Sequence, residues 1–402
     1  MPASDLHLFT MRYPHGTGEA YLENELPVLA QRFGHITLLP LFNDVQGART
    51  IPANASTVQV IAEPYASASL FSKLKLRSLI AEVTNEIRKS APSTWVFARR
   101  WPLDVRPRLS QALQRALVLK HAFRTGMLTK DAVLYSYWAY DWPIALGLLK
   151  RMDPDIRFVT RMHGFDLYAE RSPDGWPAFR DFVMRSADAV HVPSEAAVEH
   201  LRTTATEHAH KVVLSRMGTT DHGLAPWSPS DVLRIASCSN LFPLKRVDLL
   251  VTTLKHIYGS AHWTHFGDGP ERARIEQLAK ALPANITVDF RGATPNAEIL
   301  NWYTTTPVDR FVHLSSSEGG VPVALQEAAS FGIPLVAADA GGVREIVDAR
   351  SGVLLENDPT PERIAQALLG PMPSRETVRA RWAEGFRAEE NFNRLCDQLL
   401  GV

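Results

Sequence analysis

The residues best suited to chemistry lie in a glycine-rich segment at 315–334, where Glu318 precedes Gly319 and Gly320, and Glu327 follows. An apolar run before this segment predicts a strand, and the segment itself opens a predicted helix. Backbone N–H groups at a helix start attract anions, and glycines let a ligand approach closely. Glu327 lies among small apolar residues, where a carboxylate requires hydrogen-bond donors such as sugar hydroxyls. A capped helix without a ligand is the alternative interpretation.

A second candidate segment, at 240–248, contains Asn240, Lys245 and Arg246 where a predicted strand leads into a predicted helix. A lysine ammonium and the positive end of a helix dipole both favour phosphate. The segment therefore predicts a phosphate-binding turn. The alternative is a surface basic pair in the first turn of a helix.

The first half of the chain has two further candidates at predicted strand ends. Gly16 and Gly18 lie between a strand and a helix, where their backbone can approach a ligand closely. This loop is not a dinucleotide fingerprint, because Tyr21 occupies the position of the third glycine. His163 ends another strand and precedes Gly164, so we expect it to face a ligand crevice. The alternatives are a tight strand–helix turn for the glycines and a satisfied core residue for the histidine.

The elements that position these candidates alternate between short β-branched runs and amphipathic stretches. This alternation predicts parallel sheets covered by helices on both faces, with ligands at the carboxyl ends of the strands. Turn-forming residues at 221–231 predict a linker. We therefore expect a first domain at 1–220, a second at 221–385, and a C-terminal helix at 386–402 that packs back toward the first. The predicted strands are 6–11, 35–40, 132–136, 157–162, 189–192, 212–214, 233–238, 262–266, 286–290, 310–314, 334–338 and 353–355.

Composition excludes several classes of function. The 402 residues include 43 Lys and Arg against 43 Asp and Glu, so a nucleic-acid-binding surface over the whole protein is not expected. The two cysteines, Cys238 and Cys396, exclude a disulfide scaffold and a Cys-rich zinc site, and they fit a reducing compartment. His208 and His210 predict a solvated loop, because no cysteine lies near them. Without a signal-peptide pattern or an apolar run of about 18 residues, we expect a cytoplasmic protein.

One segment, at 71–124, departs from this balance. It contains twelve lysines and arginines against three carboxylates, interleaved with Trp95, Phe97 and Trp101. A basic, partly helical segment with aromatic residues is suited to an anionic membrane surface. A peripheral position on the inner face of the membrane is one expectation, and a solvated helical face balanced by other charges is the alternative.

Read together, the motifs of the second half resemble glycosyltransferase family 4, whose members are retaining enzymes with the GT-B fold. The resemblance depends on the Glu-Gly…Pro…Glu-Ala…Phe-Gly-Ile-Pro series at 318–334, on Pro-x-Lys-Arg-Val-Asp at 243–248, and on Phe-Gly-Asp-Gly-Pro at 266–270. It implies an α/β protein of two doubly wound Rossmann-like domains facing across a cleft. Domain 1–220 would bind the acceptor, and domain 221–385 a UDP- or GDP-sugar donor.

The resemblance also implies roles for individual residues. Glu318 would contact the donor sugar, Lys245 would neutralise the diphosphate, and His163 would lie close to the transferring sugar as the third catalytic residue. Neither a metal ion nor a cofactor is implied. The residues implied in donor binding are Gly16, Gly18, Asn240, Arg246, Gly292, Gly319, Gly320, Val321 and Glu327.

The implied reaction is retaining transfer of a sugar to a hydroxyl acceptor. The implied setting is the biosynthesis of a surface polysaccharide or a glycolipid. The acceptor would be lipid-linked if the basic segment binds a membrane. Two departures from the family pattern leave alternatives open. Glu318 and Glu327 are one residue further apart than is usual, and Asn240 stands where the family often has arginine. The alternatives are a nucleotide-sugar epimerase, a non-catalytic sugar-nucleotide-binding protein and a dinucleotide-dependent oxidoreductase.

Overall fold

A computed structural model describes residues 4–16, 19, 21–42, 47–59 and 70–401. The chain divides into two compact units. The first comprises Met1–Pro193, Val198–Ser215 and Phe392–Val402, and the second comprises Ser194–Ala197 and Arg216–Asn391. The main boundary therefore lies a few residues before the expected one at 220. Gly18 lies outside the described residues.

The first unit is built on a parallel sheet of seven described strands in the order β3-β2-β1-β4-β5-β6-β7. Their bounds are β1 Leu6–Thr10, β2 Ile36–Pro40, β3 Ala55–Thr57, β4 Val133–Ser136, β5 Val159–Arg161, β6 Ala189–Val192 and β7 Val212–Leu214. Both faces of β1 and β2 are buried, as expected for a parallel sheet covered by helices. The sequence analysis missed β3, because this short edge strand contains no apolar run.

Helices of the first part of the chain follow the amphipathic stretches. They are α1 Leu22–Arg32, α2 Leu70–Ser90, α3 Thr94–Arg100, α4 Arg106–Thr125, α5 Asp141–Met152, α6 Gly164–Leu167, α7 Arg180–Ser186 and α8 Glu195–Thr204. In α1, Leu22, Leu26 and Leu29 are buried on one face. The C-terminal helix α15, Ala388–Leu400, contributes its residues from Phe392 onward to the first unit. There Arg32 of α1 donates a hydrogen bond to Asn393, with 3.0 Å between Nη1 and Oδ1.

The second unit is built on a parallel sheet in the order β10-β9-β8-β11-β12-β13. Its strands are β8 Val232–Cys238, β9 Ser260–Phe266, β10 Ile286–Gly292, β11 Arg310–His313, β12 Leu335–Ala338 and β13 Gly352–Leu355. Its helices are α9 Val247–Leu254, α10 Arg272–Ala279, α11 Asn296–Thr305, α12 Val323–Ser330, α13 Pro361–Leu369 and α14 Arg375–Ala383. Two apolar clusters cover the opposite faces of this sheet, one beneath α12 and one beneath α9 and α13.

The strand order places a crevice in each unit. In the first unit the strand order reverses between β1 and β4: strands before β1 in the sheet follow it in one direction, and strands from β4 onward follow in the other. In the second unit the strand order reverses between β8 and β11. Ligands of doubly wound sheets bind at the carboxyl ends of the strands at such a reversal. The residues after β8 and β11 are therefore the first place to look for a binding site in the second unit.

Some arginines of the basic segment are engaged by other groups of the first unit. Arg100 is buried and pairs with Asp104, while Arg108 stacks on Tyr140 with 3.8 Å from its guanidinium carbon to the ring centre. The segment still exposes 66% of Trp95 and 77% of Leu103. No helix in the described part of the chain is long and apolar enough to cross a membrane.

Candidate functional site

The crevice of the second unit brings together two loops that are distant in sequence. One is the turn Pro243–Lys245 after β8, and the other follows β11 and carries Glu318. The backbone carbonyl of Leu244 joins them. It accepts the N–H of Ser316 at 2.8 Å and the hydroxyls of Ser315 and Ser316 at 3.3 and 3.2 Å. These bonds fix the loop of Lys245 relative to the loop of Glu318.

Lys245, Glu318 and His313 form a charged cluster in this crevice. The Nζ of Lys245 lies 2.5 Å from Oε1 of Glu318, and Nε2 of His313 lies 2.8 Å from the same oxygen. Burial by itself would raise the pKa of Glu318. The His313 hydrogen bond, with the positive charge of Lys245, outweighs burial and lowers that pKa to about 2. The structure therefore brings together two of the predicted catalytic residues, and it adds His313, which the sequence analysis missed.

Arg246 follows Lys245 but turns its side chain elsewhere. Its backbone is left-handed, with φ of 48°. Its guanidinium donates to the backbone carbonyls of Leu314 at 2.7 Å and Asn357 at 2.5 Å, and it pairs with Asp358 at 3.1 Å. These contacts hold the ends of β11 and β13 together. Of Lys245 and Arg246, it is therefore Lys245 whose charged group contacts Glu318.

The loop with Glu318, Gly319 and Gly320 packs directly against a second glycine loop. The N–H of Gly342 donates to the carbonyl of Gly320 at 3.3 Å. Gly341 has a φ of 55°, and a Cβ atom there would lie 2.3 Å from the carbonyl oxygen of Glu318. Only glycine allows this approach of the two backbones, so the second loop supports the first from behind.

Glu327 lies on α12 at the edge of the same crevice and is almost fully buried. The Nδ2 of Asn296, the first residue of α11, donates to its Oε1 at 2.8 Å. Burial raises the pKa of Glu327 to about 7, and the Asn296 hydrogen bond lowers it only in part. Asn296 thus offsets only part of the cost of burying this carboxylate, and binding of ligand hydroxyls by Glu327 stays a prediction. Sequence reasoning missed Asn296, although a polar side chain shortly after the predicted strand 286–290 is a visible signal.

The remaining predicted donor residues of this unit occupy different environments. Gly292 ends β10 with a φ of 72°. Asn240 is exposed after β8 and bonds only through its carbonyl in the described structure, to the N–H of Phe242 at 3.0 Å. Val321 is buried in the apolar cluster beneath α12, and its backbone carbonyl accepts Nε2 of Gln326 at 2.9 Å. Any contact of Val321 with a ligand therefore has to use its backbone.

In the first unit, Glu19 holds the loop that carries the predicted Gly16. Its carboxylate accepts the backbone N–H groups of Met11, Arg12 and Tyr13 at 2.9, 2.8 and 2.7 Å. It also accepts the indole N–H of Trp138 at 2.8 Å. Glu19 therefore joins the loop after β1 to the loop after β4, across the reversal of this sheet. The sequence analysis missed it.

His163 follows β5 and begins α6. Its Nε2 lies 3.0 Å from the carbonyl of Tyr137, which can only accept, so Nε2 carries the proton. Its side chain also accepts the backbone N–H of Asp166, and Trp138 lies against the ring at 4.3 Å between centres. Burial, with the nearby charge of Arg161, lowers the pKa of His163 to about 3. Both ring nitrogens are therefore engaged within the unit, and the ring is neutral at physiological pH.

A buried ion pair involves Arg161, the last residue of β5, two residues before His163. Nη1 of Arg161 lies 2.6 Å from Oε2 of Glu25, and both side chains are fully buried. Nη2 of Arg161 donates to the hydroxyl of Ser215 at 2.7 Å. Removing one partner of such a pair leaves an uncompensated buried charge, so the pair holds α1 firmly on the end of β5.

One group of possible metal ligands occurs among the described residues, and it lies in the first unit. It consists of Asp181, Glu207 and His208, with ligand atoms within 4.8 Å of one another. Arg185 already pairs with Asp181 at 3.1 Å and approaches Glu207 at 3.8 Å. The expectation of a solvated loop was wrong for His208, which is buried because its ring packs inward and contacts Asp181 at 3.2 Å.

Comparisons with known proteins find similarity that is concentrated in the second unit. The family model described as "Glycosyl transferases group 1" matches residues 228–385. A GDP-mannose-dependent alpha-mannosyltransferase of Mycobacterium tuberculosis is 30% identical over 240 residues, which cover 56% of this chain and 58% of that protein. The chain spans about half the length of the curated relatives it matches.

Solved structures share the fold of the whole chain. The sucrose-phosphate synthase of Thermosynechococcus elongatus has a TM-score of 0.70 at 16% identity, with 99% of each chain covered. Anabaena HepE in complex with UDP-glucose has a TM-score of 0.62 at 15% identity, with 99% of this chain and 100% of that chain covered. These matches confirm the predicted α/β fold with two Rossmann-like units, and the family match confirms the predicted resemblance over 228–385.

Proposed function

We propose that the protein is a retaining, metal-independent glycosyltransferase, on the basis of the match of residues 228–385 to the family model described as "Glycosyl transferases group 1". It moves a sugar from a nucleotide-sugar donor to a hydroxyl acceptor. The observation that carries this proposal is the Lys245–Glu318 pair, which lies at the reversal of strand order in the unit that matches the family. A cation beside a carboxylate at this position is suited to a diphosphate linked to a sugar.

In the proposed reaction, the bond between the anomeric carbon and the diphosphate breaks, and a bond to the acceptor oxygen forms on the same face. The acceptor proton passes to an oxygen of the departing diphosphate. Lys245 stabilises the negative charge that develops on this leaving group. Glu318 binds hydroxyls of the transferred sugar, and Glu327 binds the ribose hydroxyls. His163 contacts the sugar as a neutral ring, because burial and the charge of Arg161 lower its pKa to about 3.

The donor is proposed to be a UDP- or GDP-sugar, with no metal or other cofactor. A relative is named as GDP-mannose-dependent, and a structural neighbour was solved with UDP-glucose, which supports both nucleotides. Lys245 takes the place that a divalent cation would have beside the diphosphate. Full activity in the presence of a chelator is the result expected from this proposal.

The first unit is proposed to bind the acceptor, which is a lipid-linked or membrane-presented intermediate of surface polysaccharide or glycolipid synthesis. The basic segment 71–124 supports a cytoplasmic enzyme bound to the inner face of the membrane. Exposed Trp95 and Leu103 supply apolar anchors of the kind that interfacial helices use.

A thermal-shift panel of UDP-, GDP- and ADP-sugars, with and without chelator, tests the donor proposal. A ligand at about 100 times its dissociation constant adds roughly 2.7 kcal/mol to the stability of the state that binds it. We expect a shift with one nucleotide that persists in chelator and disappears in Glu327→Ala. Analysis of the product then separates the alternatives. Transfer with retained anomeric configuration supports the proposal, conversion of the donor without acceptor indicates an epimerase, and binding without turnover indicates a non-catalytic protein.

A further inference from the structure

We propose that His313 is a positioning residue, whose Nε2–H holds the carboxylate of Glu318 in the orientation that the donor sugar requires. This proposal rests on the proposed glycosyl transfer, and it adds a residue that neither the motifs nor the family match assigns. His313 itself touches no ligand in this scheme. It acts through Glu318.

The geometry of the contact determines its direction. His313 is the last residue of β11, and only 5% of it is exposed. Its Nε2 lies 2.8 Å from Oε1 of Glu318. Since an ionised carboxylate can only accept, Nε2 must carry a hydrogen, and the bond is assisted by the charge of the carboxylate.

Lys245 and His313 bind the same carboxylate oxygen but differ in rigidity. Lys245 reaches Oε1 with a flexible four-carbon side chain from the turn after β8. His313 reaches it from a buried position at the end of a central strand. When a diphosphate draws the ammonium of Lys245 away, the histidine remains as the fixed partner of Glu318. Within the described residues, the polar contacts of Glu318's carboxylate all involve Oε1, so Oε2 remains available to a ligand.

The charged groups that face Glu318 are few. His313 approaches from β11 and Lys245 from the turn after β8, and these are the titratable groups that act on its ionisation. Gly341 packs against the carbonyl of Glu318, and the charged residues of its loop, Asp339 and Arg344, pair with each other. Loss of the His313 hydrogen bond therefore removes both an orienting contact and a group that keeps Glu318 ionised.

The test compares His313→Ala and His313→Gln with the wild type and with His262→Gln. His262 is a suitable control, because it lies on β9 of the same sheet and makes a side-chain hydrogen bond of its own, to Thr287 at 2.8 Å. We expect His313→Ala to lower kcat by about 10–100-fold, by analogy with the loss of an outer hydrogen bond that orients a metal-ligating side chain. Affinity for UDP or GDP alone, measured by calorimetry, should change less than about threefold, because these ligands lack the sugar that Glu318 binds.

Two further readouts separate positioning from a structural role. His313→Gln places an amide donor near the position of Nε2 and should recover most of the lost kcat. In His313→Ala, the acidic limb of the pH profile of kcat should move to higher pH, because Glu318 has lost a group that lowers its pKa. Unchanged kcat in a folded His313→Ala protein would overturn the proposal, and so would equal losses in the alanine and glutamine variants.

Nitrogen-15 NMR of labelled histidine tests the contact without relying on turnover. The proposal requires a proton on Nε2 of His313 and a change of its signals in Glu318→Gln. If that coupling is present in a wild-type protein that binds no sugar nucleotide, the proposed function fails while the contact stands. If the wild type is active and the coupling is absent, the role of His313 is refuted and the proposed function stands.

Discussion

At the scale of single residues, the two glutamates of the 318–334 motif have pKa values shifted in opposite directions, that of Glu318 down to about 2 and that of Glu327 up to about 7. Glu318 owes its low pKa to His313 and Lys245, while Glu327 has only the amide of Asn296 to offset its burial. Two glutamates of the same motif therefore have different chemistry, because their neighbours differ.

Replacement of Lys245 tests the proposed stabilisation of the leaving group. We expect Lys245→Ala to lower kcat/KM by about 100-fold or more, since removal of one preorganised charge-stabilising donor costs roughly 2.7–4 kcal/mol. Steady-state kinetics with the donor found in the thermal-shift panel would measure this. Lys255→Ala, an exposed lysine of the same unit, is the control and should retain wild-type kinetics. Near-normal turnover of Lys245→Ala would refute the assignment.

Replacement of Glu327 by glutamine should stabilise the free protein at the expense of donor binding. Burial raises the folded-state pKa of Glu327 from 4.5 to about 7, so between these values the folded chain binds this proton more tightly than the unfolded chain. The stability of the wild type therefore falls as pH rises through this window. Glu327→Gln should be more stable than the wild type by about 1–3 kcal/mol at pH 8, and this gain should shrink toward pH 5.

Thermal or denaturant unfolding of both proteins at several pH values measures that difference. Donor affinity should fall in the same variant, because an amide offers one acceptor oxygen where the carboxylate offers two. A stability difference that does not vary between pH 5 and pH 8 would show that Glu327 does not titrate in this window.

At the scale of elements, the site depends on three loops that hold one another through backbone atoms. The carbonyl of Leu244 fixes the loop after β11 to the turn after β8, and the loop at Gly341 packs against it from the other side. Since the loops contact through main chain, even a methyl group at the contact should move Glu318.

Gly341→Ala tests this arrangement. Its Cβ would lie 2.3 Å from the carbonyl oxygen of Glu318, at a φ of 55° that alanine rarely adopts. We expect a loss of stability of about 1–3 kcal/mol and a fall in turnover of at least about tenfold, because a displaced Glu318 no longer meets the sugar correctly. Gly259→Ala provides the control, since a Cβ at Gly259 meets no atom within 4 Å. Equal behaviour of the two variants would argue against the loop contact.

At the scale of the whole molecule, equal numbers of acidic and basic side chains conceal an uneven distribution. The segment 71–124 is strongly basic in sequence, yet Arg100, Arg108 and Arg115 turn toward acidic or aromatic groups of the first unit. The guanidinium groups of these three arginines are therefore largely buried and do not face a membrane. Exposed apolar side chains on α3 and just after it provide the remaining support for membrane binding.

Vesicle flotation tests the proposed membrane surface. We expect binding to vesicles that contain anionic lipid, little binding to neutral vesicles, and a several-fold loss in the double variant Trp95→Ala, Leu103→Ala, because apolar burial and charge attraction add. Tyr258, which is 94% exposed in the second unit, supplies the control variant Tyr258→Ala. Equal flotation of the double variant and the wild type would remove this surface from the proposal.

The sequence by itself determined the α/β class, the two-unit organisation and the segments that form the loops of the site. These properties are local: β-branched runs and helical periodicity predict β8, β11 and α12, and glycines and prolines mark the turns between them. The loops of Lys245 and Glu318 could be placed near each other because parallel strands end at one edge of a sheet. The short strand β3 could not be predicted, because it has no apolar pattern of its own.

Only the tertiary structure decided which side-chain atoms contact one another around the site. Asn296 lies on a different helix from its partner Glu327, and Glu19 bonds to Trp138 far along the chain. No periodicity or spacing encodes such pairs, since they depend on the order of strands in the sheet and on the direction of each side chain. Other tertiary contacts engage both nitrogens of His163 and hold the guanidinium of Arg246 on backbone carbonyls. A motif therefore locates a candidate residue, and the packing around it decides its hydrogen bonds, its charge and its available chemistry.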